Sequence, residues 1–120
     1  MSIILFFSQT NPLLQFCPNQ GYLYSIDWSP SRPCVFACGS HKGQILFYDL
    51  TQSTSTSFQT IQASEKPIYA LEFNKHRSGY LATGDASGFV KIWALSRSLI
   101  HTDALEVKKL NEISQKPFEA

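Results

Sequence analysis

Tyr22-Leu-Tyr-Ser-Ile-Asp-Trp28, then Ser29-Pro-Ser-Arg-Pro33, Cys34-Val-Phe-Ala-Cys-Gly39, Ser40-His-Lys-Gly43 and Gln44-Ile-Leu-Phe-Tyr-Asp-Leu50 form one stretch that returns later in the chain. At an offset of 45 residues, without a gap, Tyr24 falls on Tyr69, Ile26 on Leu71 and Trp28 on Phe73. Arg32 meets Arg77, Phe36 meets Leu81, Gly39 meets Gly84, Gly43 meets Gly88, Phe47 meets Ile92 and Tyr48 meets Trp93. A period of about 40–45 residues with several short strands per unit is the range of propeller blades.

Within the first unit, Tyr22, Tyr24, Ile26 and Trp28 alternate with smaller or polar residues, the period of two that a strand requires. The Ser29–Pro33 segment ends it, because proline donates no ladder hydrogen bond and restricts its predecessor. Cys34–Gly39 reads as a second strand, Gly43 as a turn residue at positive φ, and Gln44–Leu50 as a third strand. Phe58–Gln62 is a weaker outer strand beyond the Ser/Thr-rich link Thr51–Ser57, which reads as a solvated loop or a phosphorylation tract. The second unit repeats the order with Ile68–Phe73, Tyr80–Gly84, a turn at Asp85–Ser87 and Phe89–Leu95.

The expected fold is therefore all-β: two four-stranded antiparallel blades of an incomplete propeller, followed by a short C-terminal helix. Residues 1–20 are the end of a preceding blade with its outer strand, 21–63 and 64–100 are the two blades, and 101–120 are a tail. In that tail Asp103 and Glu106 resemble a capping box, and Leu105, Leu110 and Ile113 give a helical stripe over 103–115. Most of the repeat's aromatics, among them Tyr22, Tyr24, Trp28, Phe36, Phe47, Tyr48, Phe73, Phe89 and Trp93, are expected in the blade core. Two blades leave broad apolar faces uncovered, so the chain is expected to be part of a longer ring.

Bulk properties narrow the function classes. The chain has 120 residues, 43% hydrophobic and 16% charged, with a formal net charge of +1. No basic stripe for nucleic acid or an anionic membrane is visible. The apolar run Ile3–Phe7 has five residues and no basic flank, too short for a signal peptide or a span. Cys34 and Cys38, four apart in one strand, would have Cα atoms roughly 13 Å apart, beyond the about 4.4–6.8 Å of a disulfide. They read as small apolar thiols in a reducing, cytosolic compartment. His41, His76 and His101 have no partner at metal-ligand spacing. The Gly39–Gly43 segment lacks the spacing of a nucleophile elbow or a phosphate loop, and its recurrence at 84–88 makes it a blade turn. Neither cofactor nor small-molecule substrate is expected.

Trp28-Ser-Pro30, Phe36-Ala-Cys-Gly39, Tyr48-Asp49, Leu81-Ala-Thr-Gly84 and Gly88-Phe-Val-Lys-Ile-Trp93 resemble WD repeats over about residues 21–96. Within that family, Trp28–Pro33, Gly43–Leu50, Ala70–Asn74 and Gly84–Gly88 look most like the C-terminal end of the dynein intermediate chains, in particular those of the cytoplasmic dynein 2 kind. The resemblance implies a non-catalytic scaffold that binds a dynein heavy chain beside other dynein subunits, in the cytoplasm, on the cytoskeleton and in the cilium. A different WD-repeat adaptor, such as a ubiquitin-ligase substrate receptor or chromatin scaffold, is the alternative. The family's Gly-His before the first strand and Asp in the turn before the third are missing; the turn positions hold Lys42 and Ser87. Apolar packing is expected to replace that polar network.

Propeller partners bind the loop ends. His41, Lys42, Lys66 and Asp85 are expected on one end of the blades. Arg32 and Arg77, equivalent residues on adjacent blades, are expected on the other, either as a basic pair for an acidic partner or as braces of their own loops.

Overall fold

The computed structural model describes residues 3–5, 14–16, 21–51, 57, 59–96 and 99. Short strands β1 (Ile3–Leu5) and β2 (Leu14–Phe16) pair antiparallel. Strands β3 (Leu23–Trp28), β4 (Val35–Ser40), β5 (Gln44–Asp49) and β6 (Gln59–Gln62) form one four-stranded antiparallel meander. Strands β7 (Ile68–Phe73), β8 (Tyr80–Asp85) and β9 (Val90–Ala94) form a second, three-stranded one. The expected strands appear, each within a residue or so of its expected bounds. The second sheet has three strands among the described residues where four were expected; beyond Ser96 only Leu99 is described. The helix expected over 103–115 lies outside the described residues.

The turns follow from glycine at positive φ. Gly43 and Gly88, equivalent by the repeat, have φ of 79° and 88°. The Gly43 turn also abuts the link between the sheets: a Cβ there would run into the Ser64 carbonyl oxygen.

The largest core lies between the sheets. Ala37, Ile45 and Phe47 of the first sheet meet Ile68, Leu71, Phe73 and Leu81 of the second, with Ala63 and Leu99 at the margin. A second cluster, Cys34, Phe36, Cys38, Leu46, Tyr48 and Leu50, occupies the other face of the first sheet. Cys34 and Cys38 are thiols, not a disulfide. Burial pushes the Cys38 thiol up to about 12, and the thiolate is the reacting form. The peptide carrying Cys38 is therefore expected to stay unalkylated by iodoacetamide at pH 8 in folded protein and to be alkylated in urea, as read by peptide mapping.

The two sheets are also clasped by charge. The Asp27 carboxylate accepts the Phe73 amide N–H at 2.9 Å and the Lys75 ammonium at 2.6 Å. The Lys75 Nζ also donates to the Trp28 carbonyl at 3.1 Å. Both side chains are partly exposed, so the ion pair contributes little; the amide left without an acceptor decides the effect. Urea unfolding is expected to show a loss of about 1 kcal/mol for Asp27→Ala and about half of that or less for Lys75→Ala.

The aromatics divide, which corrects the expectation that most are core. Phe36, Phe47, Tyr48 and Phe73 are buried, and Trp93 is half-buried. Tyr22, Tyr24, Trp28 and Phe89 are exposed. The reason is positional: Ile26 and Trp28 are equivalent to Leu71 and Phe73, which the first sheet covers. No described strand covers β3 on that side in the same way.

Candidate functional site

The most distinctive local feature is a repeated β-bulge. In the first sheet the register slips between Leu23 and Ser25, and in the second between Ile68 and Ala70. The extra residue is Tyr24 in one and Tyr69 in the other. A bulge breaks the alternation of a strand and re-aims the extra side chain. Here it brings the two tyrosine rings together across the joint, 4.8 Å apart and edge-to-face at 87°. The slip also places Leu23 against the cluster behind β4 and leaves Tyr24 out of it.

The aromatic group extends along this end. The Tyr24 hydroxyl lies 3.0 Å from His41 Nδ1, and Tyr22 packs edge-on to the same imidazole at 6.2 Å. The His41 amide donates to the Tyr22 carbonyl, which ties turn and strand together. Tyr22 and Tyr69 remain 62% and 54% exposed, so the rings present surface to solvent. Exposed, conformationally restrained tyrosines of this kind anchor protein interfaces.

His41, Lys42, Lys66 and Asp85 gather at this same end. The Gln62 side-chain amide donates to the Lys42 and Ser64 carbonyls, and the Ala86 amide donates to the Pro67 carbonyl. The link 63–67 thus joins the two turns. Slight burial raises the Asp85 carboxyl, but the Phe89 amide, the Ser64 hydroxyl, the Ser87 amide and Lys91 outweigh it and hold it below the usual carboxylate range. A carboxyl lowered by folding stabilises the turn above its unfolded pKa, and that contribution is lost as pH falls through the folded pKa. The amide signals of Ser87 and Phe89 are therefore expected to move together on acidification. Their NMR midpoint should lie below that of an ordinary aspartate.

The opposite end separates Arg32 from Arg77. The Arg32 guanidinium donates to Asp49 at 2.9 Å, and its side chain is 14% exposed. Asp49, fully buried, also accepts the Thr51 amide and hydroxyl at 2.9 and 2.7 Å. In the second sheet Ala94 stands where Asp49 would be, and Arg77 is exposed with no ion pair to a described residue. The Ser29 hydroxyl and the Asn74 carboxamide organise the two loops alike, each accepting two following amides. Arg32 therefore braces its loop, and Arg77 projects from one.

Spacing alone hid Tyr24 and Tyr69 as surface residues, because strict alternation assigns Tyr24 to the core set. The available signal was identity: the same aromatic stands at the start of the first strand in both units. Among the described residues no cluster of three or more His, Cys, Asp or Glu is placed to hold a metal.

Comparison with known proteins agrees with this geometry. The family profile described as WD domain, G-beta repeat matches residues 10–49 and 55–94, two windows offset by the same 45 residues. The chain is 36% identical over 107 residues to cytoplasmic dynein 2 intermediate chain 2 of Mus musculus, covering 88% of this chain and 20% of that protein. The Homo sapiens protein is 38% identical over 105 residues, covering 86% of this chain and 20% of that protein. Protein transport protein SEC31 of Chaetomium globosum is 37% identical over 75 residues, covering 62% of this chain and 6% of that protein. The chain thus spans about a fifth of the length of its dynein relatives.

Proposed function

The chain belongs to the WD-repeat family, and from that premise we propose that it is a non-catalytic scaffold of the dynein intermediate chain kind. The observation that carries this reading is the similarity to cytoplasmic dynein 2 intermediate chain 2 over 86–88% of the chain. The SEC31 likeness is shorter, which favours the motor reading over a protein-transport one. In this reading residues 21–63 and 64–100 are successive blades, and residues 1–20 end the blade before them. The blades form part of a ring that grips a dynein heavy chain beside other dynein subunits. The setting is cytoplasmic, on the cytoskeleton and in the cilium, in retrograde intraflagellar transport and cilium assembly. The mechanism is docking of a rigid, preorganised surface with no bond made or broken, and it requires no cofactor.

The contact surface consists of Tyr22, Tyr24 and Tyr69 with His41, Lys42, Lys66 and Asp85 at one end, and Arg77 at the other. Arg32 contributes by holding its loop. The affinity-tagged chain, expressed in ciliated cells, is expected to recover a dynein heavy chain. Replacing both Tyr24 and Tyr69 by Ala should lower that recovery about tenfold or more, the loss of a hot-spot pair. Recovery of ubiquitin-ligase or chromatin subunits without heavy chain overturns the reading.

A further inference from the structure

Each of the two larger sheets ends in strands with no described strand beside their outer edges: β3 and β6 in the first, β7 and β9 in the second. Such an edge offers its free N–H and C=O groups to another chain, and proteins guard it with charge, proline or a bulge. Three of these edges are guarded. β3 has the bulge between Leu23 and Ser25 and the charge of Asp27; β7 has the bulge between Ile68 and Ala70 and the charge of Glu72. β9 carries Lys91. β6, Gln59-Thr-Ile-Gln62, has neither charge nor proline, and its register on β5 runs without a shift from Phe47↔Gln59 to Gln44↔Gln62. The stretch from Leu50 to Ser64 contains no charged residue, no proline and no glycine. The strand is also held in place. Ile61 packs on the core between the sheets, and the Gln62 side-chain amide donates to the Lys42 and Ser64 carbonyls. Thr60, exposed on the other face, is hydrogen-bonded to the Ser57 hydroxyl at 2.9 Å. Fixing a strand before its partner arrives lowers the entropy cost of pairing.

We propose that β6 pairs antiparallel with β6 of a second copy of this chain, joining their two four-stranded sheets edge to edge across a two-fold axis. An axis perpendicular to the sheet preserves its faces, so near the middle of β6 it passes through Thr60 or Ile61. Centred on Thr60, the two threonines face each other and Gln59 faces Ile61. Centred on Ile61, the two isoleucines face each other and Thr60 faces Gln62. In neither register do like charges meet, and β-branched residues suit such cross-strand positions. A different protein would have to bring an unguarded edge of its own, whereas a second copy brings one by symmetry. The same symmetry closes the assembly. Once the β6 strands are joined, only guarded edges remain on the larger sheets, so association stops at the dimer. The pairing follows from the sheet edges and is independent of the dynein reading.

Sedimentation equilibrium tests this on the full chain carrying Ile92→Asp, which silences the exposed apolar face of the second sheet as a competing contact. That chain is expected to show a monomer–dimer equilibrium. Adding Thr60→Lys should weaken dimerisation about fivefold or more, because it sets two ammonium groups on one face of the joined strands. Adding Thr60→Glu instead should weaken it likewise. Mixing the Thr60→Lys and Thr60→Glu chains should restore a dimer containing one of each, a recovery that a change in folding cannot produce. Circular dichroism should show every variant folded, since Thr60 and Ile92 are exposed. The proposal is overturned if the Ile92→Asp chain stays monomeric up to its solubility limit or assembles beyond the dimer. It is overturned equally if Thr60→Lys leaves dimerisation as tight, or if mixing restores nothing.

Discussion

Phe47→Ala is expected to lower the unfolding free energy by about 4 kcal/mol, whereas Ile92→Ala, the same position one repeat later, is expected to change it by about 0.5 kcal/mol or less. Phe47 is fully buried among Ile68, Leu71, Phe73 and Leu81. Truncating it loses the transfer free energy of the ring and leaves a cavity bounded by two sheets, whose mutual packing restricts collapse. Ile92 is 66% exposed, so little apolar surface returns to water when it is shortened. Urea unfolding monitored by circular dichroism measures both. Equal effects at the two positions would mean that the second sheet's outer face is covered in the chain, contrary to the structure.

Asp49→Ala is expected to destabilise by about 3 kcal/mol, because removing one partner of a buried ion pair strands the other. The carboxylate holds the Arg32 guanidinium and both donors of Thr51 at the end of β5. Arg32→Ala should cost less, since three donors then become one fewer around a carboxylate that keeps Thr51. The double replacement should cost less than the sum of the single ones, a coupling of about 1–3 kcal/mol. Arg77→Ala, equivalent to Arg32→Ala, should fall within about 0.5 kcal/mol of the original chain. If Arg77→Ala were as damaging as Arg32→Ala, the division between a bracing and a projecting arginine would be wrong. The same division makes Arg77, not Arg32, the residue whose loss should weaken binding of an acidic partner without unfolding the chain.

The strands, turns and repeat were legible because each rests on local chemistry. The period of two over Tyr22–Trp28 marks a strand, the proline block after Trp28 ends it, and the glycines at 43 and 88 mark the turns. The thiol state of Cys34 and Cys38 followed from spacing along one strand. The proposed contact surface was legible only in outline: His41, Lys42, Lys66 and Asp85 share an end because they occupy equivalent turns and the link between them. Alternation places Tyr24 in the core, but it is exposed, because a bulge changes the phase of a strand, and phase is what alternation measures.

What the sequence by itself determined was the unit: its length, its order of strands, and the positions where glycine or proline is required. The tertiary structure alone decided what each equivalent residue does. Trp28 and Phe73 carry the same pattern, yet one is exposed and the other buried, because burial depends on the neighbouring sheet. Arg32 and Arg77 differ because the residue opposite is Asp49 in one sheet and Ala94 in the other, a partner 17 positions away in sequence and 2.9 Å away in space. A repeat specifies its blade through local forces, but faces are covered and charges paired by elements the blade does not contain.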